Sequence, residues 1–193
     1  EMPAVVIGHP SAAGSLTPVW SDDSAALRDT LTYLAALGHR SVARVAGLPE
    51  LIHTQLRDRA QREISAELGL DEPVVIHTDY SGEEGAHATR RLVSAAARPT
   101  AVIYDNDIMA VAGLSVAQEM GLDVPADLSL VAWDDSQLSR VVRPALTALS
   151  RDIPAYGTHA ARTLLAMVDD GSAPGFQDAT ARLVPRGSTA PPR

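Results

Sequence analysis

The chain reads as an α/β protein built on a doubly wound parallel sheet. Three observations predict this: strand-like apolar runs alternate with helical periodicity, glycines punctuate the helix ends, and prolines precede the strands. Short apolar runs rich in β-formers lie at 4–7, 42–46, 74–77, 101–104 and 128–133, with weaker runs at 145–150 and 181–184. Leu27, Leu31, Leu34 and Ala35 recur on one helical face, as do Leu56, Ala60, Ile64 and Leu68. A third face carries Ile108, Val111, Ala112 and Ser115, and a last helix carries Ile153, Ala160, Ala161, Leu164, Leu165 and Val168. Gly38, Gly69, Gly121 and Gly171 follow four of these stretches, where a C-terminal cap needs a left-handed residue. Asp23 and Asp107 stand at N-cap positions. Pro73, Pro99 and Pro125 sit where a helix cannot continue. Such βαβ units close with right-handed crossovers.

Composition narrows the chemistry. The chain has 193 residues, 46% of them hydrophobic, enough for one sizeable core or two small lobes. It has no cysteine, which excludes disulfides, thiolate metal sites and cysteine nucleophiles. The formal net charge is −8 and all 16 basic residues are arginine. An acidic chain without a basic run lacks the phosphate contacts that dominate nucleic-acid affinity, so any DNA binding belongs to another segment. No apolar run reaches membrane-spanning length. No dinucleotide fingerprint, P-loop or nucleophile elbow is present, and the six histidines are scattered without metal-ligand spacing. The expectation is a non-enzymatic binding protein without a cofactor.

Open parallel sheets bind ligands at the carboxyl ends of their strands. Residues following the strand candidates are therefore the candidates for a site: His9 after the first, Arg57 beyond the loop 47–54, Tyr80 after the third, Asn106 after the fourth and Asp134 after the fifth. Carboxylate and amide groups suit directional hydrogen bonds to hydroxyls, an arginine fork holds two oxygens, and an aromatic ring covers a sugar face or stacks on a base. Asn106 and Asp107 also suit a helix start, and Asp134–Asp135 a turn.

Five blocks in order carry a family resemblance. Residues 98–110 read Arg-Pro-Thr-Ala-Val-Ile-Tyr-Asp-Asn-Asp-Ile-Met-Ala, and 121–135 read Gly-Leu-Asp-Val-Pro-Ala-Asp-Leu-Ser-Leu-Val-Ala-Trp-Asp-Asp. Residues 37–43, 143–147 and 186–189 supply the others. Together they resemble the C-terminal effector-binding part of lactose-repressor (LacI/GalR) type transcriptional regulators, of periplasmic-binding-protein-like fold. The resemblance implies a two-lobe protein with its effector in the cleft, closing to shift the population that holds DNA. It implies a small-molecule effector of sugar or nucleobase class, a homodimer, operator DNA contacted only through a helix-turn-helix headpiece outside this chain, no membrane, and a cytoplasmic location. It makes Arg57 and Asp134 ligand contacts and adds Tyr80 and Asn106. It divides the chain into 1–19 (last strand and crossover of an N-terminal lobe), 20–148 (C-terminal lobe), 149–175 (crossover and helix returning to the N-terminal lobe) and 176–193 (C-terminal-lobe strand and tail). Ala110, Gly113, Leu114, Leu138 and Val141 are expected at the dimer contact. Gly8, His9, Ala60 and Gln61 depart from the family pattern, leaving the effector open. A periplasmic sugar-binding protein is the alternative that shares the fold.

Overall fold

The computed structural model describes residues 2–193. Its larger sheet has six strands in the order β4 (Val75–His77), β3 (Val42–Ala46), β5 (Ala101–Tyr104), β6 (Ser129–Trp133), β7 (Thr147–Ser150) and β9 (Arg182–Val184). All neighbours run parallel except β9, which is antiparallel to β7. Helices α1 (Asp23–Ala36), α2 (Ile52–Glu67), α3 (Gly82–Val93) and α4 (Asp107–Glu119) supply the crossovers, with the short α5 (Gln137–Val141) before β7. A smaller parallel sheet joins β1 (Val5–Ile7), β2 (Thr17–Trp20) and β8 (Phe176–Gln177), and α6 (Ile153–Asp170) packs on it. The predicted doubly wound α/β class is what the chain adopts.

Burial on both faces explains the near-continuous apolar strands. Every residue of β3, β5 and β6 is buried. On one face Ala43, Val45, Val102, Tyr104, Leu130 and Ala132 pack against α3 and α4; on the other Val42, Ala101, Ile103, Val131 and Trp133 meet α1 and α2. Alternation of side chains across each strand assigns them so. Gly38, Gly69, Gly121 and Gly171 all have positive φ, as C-terminal capping requires.

Four sequence expectations shift. The N-caps are Asp22 and Asn106, whose side chains accept from the Ala25 and Met109 amides; Asp23 and Asp107 are the first helical residues. Where two capping residue types are adjacent, composition cannot choose between them. The buried face of α4 is Met109, Ala110, Gly113, Leu114, Val116 and Ala117, while Ile108 and Ser115 face outward. This helix is apolar nearly all round, so periodicity alone did not choose its inner face. Ala110, Gly113 and Leu114 are thus core residues, and only Leu138 and Val141 of the expected dimer set are exposed. Finally, β2 and β8 are additional strands. Pro18 interrupts the ladder pattern of β2, and two-residue β8 is too short to show alternation; β8 lies in the smaller sheet, although 176–193 is grouped above with the larger one.

Helix α6 buries only Tyr156, leaving Ile153, Leu165 and Val168 at least 60% exposed. The part of its apolar surface that carries these three residues therefore faces outward, away from the smaller sheet.

Candidate functional site

Between the two sheets lies a cavity of about 220 Å³, lined among others by His9, Trp20, Asp22, Asp23, Arg57 and Arg151. Its floor comes from the N-terminal parts of α1 and α2 and from Arg151 just after β7; its far wall comes from β1, β2 and Tyr156 of α6. Two predicted residues, Arg57 and His9, line it. Tyr80, Asn106 and Asp134 do not.

Arg57 is held from every side. Its position in the second turn of α2 is set by Ala60, Ile64 and Gln61, which bury that helix against the sheet. Its Nε and Nη2 donate to Asp23 Oδ2 at 3.0 and 2.6 Å, and Nη1 lies 3.6 Å from Asp105 Oδ2. Its guanidinium carbon sits 3.7 Å from the centroid of the Trp133 ring, within cation–π range. Burial pulls the Arg57 pKa down, but Asp105 and Asp23 outweigh that and raise it, so the group stays charged. The other oxygen of Asp23 accepts from Arg151 Nη2 at 3.0 Å. Arg151 directly follows β7, at the crossover toward α6.

A buried ionic layer lies beneath. Asp105, at the end of β5, accepts from Arg44 Nη1 at 3.2 Å and from the Gly47 amide at 3.2 Å. Arg44 also donates to Asp58, which binds His77 Nε2 at 2.9 Å. Alternating charges thus run Asp58, Arg44, Asp105, Arg57, Asp23, Arg151, orienting the arginine at the cavity from below.

The remaining predicted residues occupy the rim. Tyr80 has φ of 70° and its hydroxyl pairs with His53 Nε2 at 2.7 Å; its ring packs where a Gly47 side chain would stand. Burial, followed by the nearby Arg57 charge, holds the His53 imidazole below its ordinary range, so it is neutral at pH 7. Asn106 caps α4 and donates from Nδ2 to the Tyr80 carbonyl at 2.9 Å, tying two rim loops together. His9 meets Trp20 edge-on at 5.0 Å between centroids. Among the described residues the Asp134 carboxylate has no hydrogen-bond partner, unlike neighbouring Asp135, which receives Arg140 and Arg186.

Asp134 has φ of 76°, and its rim surroundings push its carboxyl pKa up by desolvation, against the pull of Arg57 and Arg151. A raised native pKa means that the ionised form costs stability above the carboxylate range and nothing below it, where both states are protonated. Asp134→Asn removes this cost, and asparagine tolerates the left-handed backbone. Asp134 is exposed, so solvent screening keeps the gain small: the variant is expected to exceed wild type at pH 7 by no more than about 0.5 kcal/mol. The advantage should vanish near pH 3, as urea melts at the two pH values would show.

Sequence reasoning missed Asp23, Arg151, Trp133 and His53. In the sequence Asp23 has the look of a helix cap. Arg151 follows a weak strand, and its place at that strand's carboxyl end is the signal that marks it. Trp133 and His53 gave no signal, because their roles come from what stands above them in space.

The periplasmic binding protein-like domain family matches residues 31–189. The HTH-type transcriptional regulator MalR of Streptomyces coelicolor is 35% identical over 176 residues, which cover 88% of this chain and 51% of MalR. A LacI family transcriptional regulator from Bifidobacterium animalis subsp. lactis superposes with a TM-score of 0.96 at 44% identity, covering 100% of this chain and 70% of that one. The transcriptional regulator CelR, in complex with cellobiose, superposes with a TM-score of 0.83 at 25% identity, covering 94% of this chain and 56% of CelR. The chain spans about half the length of the curated relatives that it matches. These relatives are regulators rather than enzymes or transport proteins. The sequence blocks, the doubly wound fold and these matches agree: the chain belongs to the LacI family of transcriptional regulators and carries its periplasmic-binding-protein-like sensor domain.

Proposed function

We propose that this domain binds a small polar effector, of sugar or nucleobase class, in the cavity between the two sheets, and that the effector controls DNA binding by a headpiece outside this chain. The observation that carries this reading is the convergence of Arg57, Asp23, Arg151 and Trp20 on one cavity at the carboxyl ends of the strands. The cellobiose complex of CelR supports the sugar class. Tyr80, Asn106 and Asp134 would join the contacts as the rim closes over the ligand. Closure favours the lobe arrangement that the ligand prefers, by no more than its differential affinity for the two arrangements.

The regulator works as a homodimer in the cytoplasm, with Ile108, Leu138 and Val141, at 45–57% exposure, forming part of a two-fold contact. No described helix is long and apolar enough to cross a membrane. Sedimentation should show a dimer that Leu138→Glu/Val141→Glu converts to monomer.

Calorimetry of the domain against sugars, sugar phosphates and nucleobases tests the effector assignment. One class should bind, and Arg57→Ala should weaken it by roughly 10- to 100-fold, the range for losing hydrogen bonds to a charged group. Binding that survives Arg57→Ala unchanged would place the ligand elsewhere.

A further inference from the structure

Two features of this cavity would ordinarily recruit an anion. One is the N-terminus of the 14-residue helix α1, which opens onto it. The other is the pair Arg57 and Arg151, converging from different elements. Both are already filled by carboxylates of the chain itself. Asp22 accepts from the Ala25 amide at 2.9 Å and occupies the helix terminus. Asp23 spends one oxygen on Arg57 and the other on Arg151, at 2.6 and 3.0 Å. The acids and arginines that line the cavity therefore balance, with Asp22 and Asp23 against Arg57 and Arg151. Asp105, 3.6 Å from Arg57 on its other side, adds further negative charge. What remains for a ligand is neutral hydrogen-bonding capacity and aromatic surface: the unshared guanidinium N–H groups, Trp20, Tyr156 and Ser21. Ser21 is 9% exposed, and its hydroxyl has no partner among the described residues.

We propose that Asp23 is a specificity-determining residue: as a built-in counter-anion shared by Arg57 and Arg151, it excludes phosphorylated and carboxylated ligands and restricts the cavity to uncharged polyhydroxylated ones. This rests on the effector-site reading above. An incoming phosphate must either displace Asp23 from two charge-assisted pairs or sit beside it, where like charges repel.

Inorganic phosphate is the probe, followed by fluorescence of the two tryptophans, Trp20 and Trp133, which border the cavity and underlie Arg57 respectively. Wild type should show no saturable response to millimolar phosphate. Asp23→Asn should bind phosphate at least about tenfold more tightly, because the two arginines then lack their anion. Adding Arg57→Gln should abolish the gain. Asp22 still caps α1 in these variants, and Asp23→Ser, with circular dichroism to verify folding, serves if Asp23→Asn does not fold. Phosphate binding by wild type equal to that of the variants, or no gain in a folded variant, overturns the proposal. A parallel titration with glucose and glucose 6-phosphate separates the two readings. Tighter binding of the phosphorylated sugar by wild type also overturns the role of Asp23. The phosphate pattern appearing as expected while no neutral sugar, nucleoside or polyol binds would leave Asp23 as an anion filter and sink the effector assignment instead.

Discussion

Arg44→Met should cost the domain about 3–5 kcal/mol, the penalty for removing one partner of a buried ion pair. Arg44 lies in the middle of β3, and its side chain and that of its partner Asp105, just after β5, are both 0% exposed. Methionine fills similar space without a charge, so packing loss is a minor part of the expected change. What remains is a carboxylate stranded under the sheet. Asp105 keeps the Gly47 amide at 3.2 Å and Arg57 at 3.6 Å, and Asp58 keeps His77, which places the effect toward the lower end of the range. The cause can be separated from simple loss of packing. Adding Asp105→Asn removes the stranded charge while leaving an acceptor for the Gly47 amide, so the double variant should recover more than about 1 kcal/mol relative to Arg44→Met alone. Urea unfolding of the four proteins of this cycle checks both numbers. A double variant less stable than Arg44→Met would show that Asp105 matters through hydrogen bonding alone. Because Asp105 also supports Arg57, weaker effector binding should accompany the loss of stability.

Gly113→Ala should destabilise by about 1–3 kcal/mol through overpacking alone. Glycine permits two close approaches of α4: Gly85 of α3 stands against Met109 of α4, and Gly113 of α4 stands over Tyr104 of β5. A Cβ on Gly113 would fall on the Tyr104 hydroxyl, and one on Gly85 would fall 2.8 Å from the Met109 Cβ. Tyr104 cannot yield easily. It is fully buried, and its hydroxyl is paired with Thr89 Oγ1 at 2.9 Å. Burial also raises its pKa well above the ordinary phenol range, so it remains a neutral hydrogen-bonding group at every accessible pH. Exposed glycine in a helix usually gains from alanine substitution, by about 1 kcal/mol in propensity. The expected sign is therefore opposite to that of Gly157→Ala in α6, where a Cβ meets nothing within 4 Å. Thermal melts of the two variants, side by side, test the close approach of α4 to Tyr104 against a general glycine effect. Tyr104→Phe in the Gly113→Ala background should restore part of the loss by making room.

The sequence by itself determined the strands of the larger sheet and the helices α1, α2, α4 and α6, in their order. Strands 42–46 and 101–104 appear with the boundaries expected, because residues buried on both sheet faces must be continuously apolar and nothing local competes with that signal. Glycine caps were equally legible, since the left-handed φ they adopt is a property of a single residue. Family membership was legible as well, through ordered blocks covering the chain. Of the residues it pointed to, Arg57 and His9, which follow strands of the two sheets, line the cavity.

Tertiary structure alone decided the rest, for one physical reason: those features depend on which groups meet across long sequence separations. Asp23 looks like any first-turn helix acid until Arg57 and Arg151, distant in sequence, arrive on its two oxygens. Trp133 is an ordinary strand aromatic until a guanidinium lies over it. Arg44 reads as a polar interruption of an apolar strand until Asp58 and Asp105 compensate its burial. The inner face of α4 was chosen by Gly85 and Tyr104 rather than by its own periodicity. Local pattern specifies backbone state and burial, but charge compensation and close packing exist only once the chain has folded.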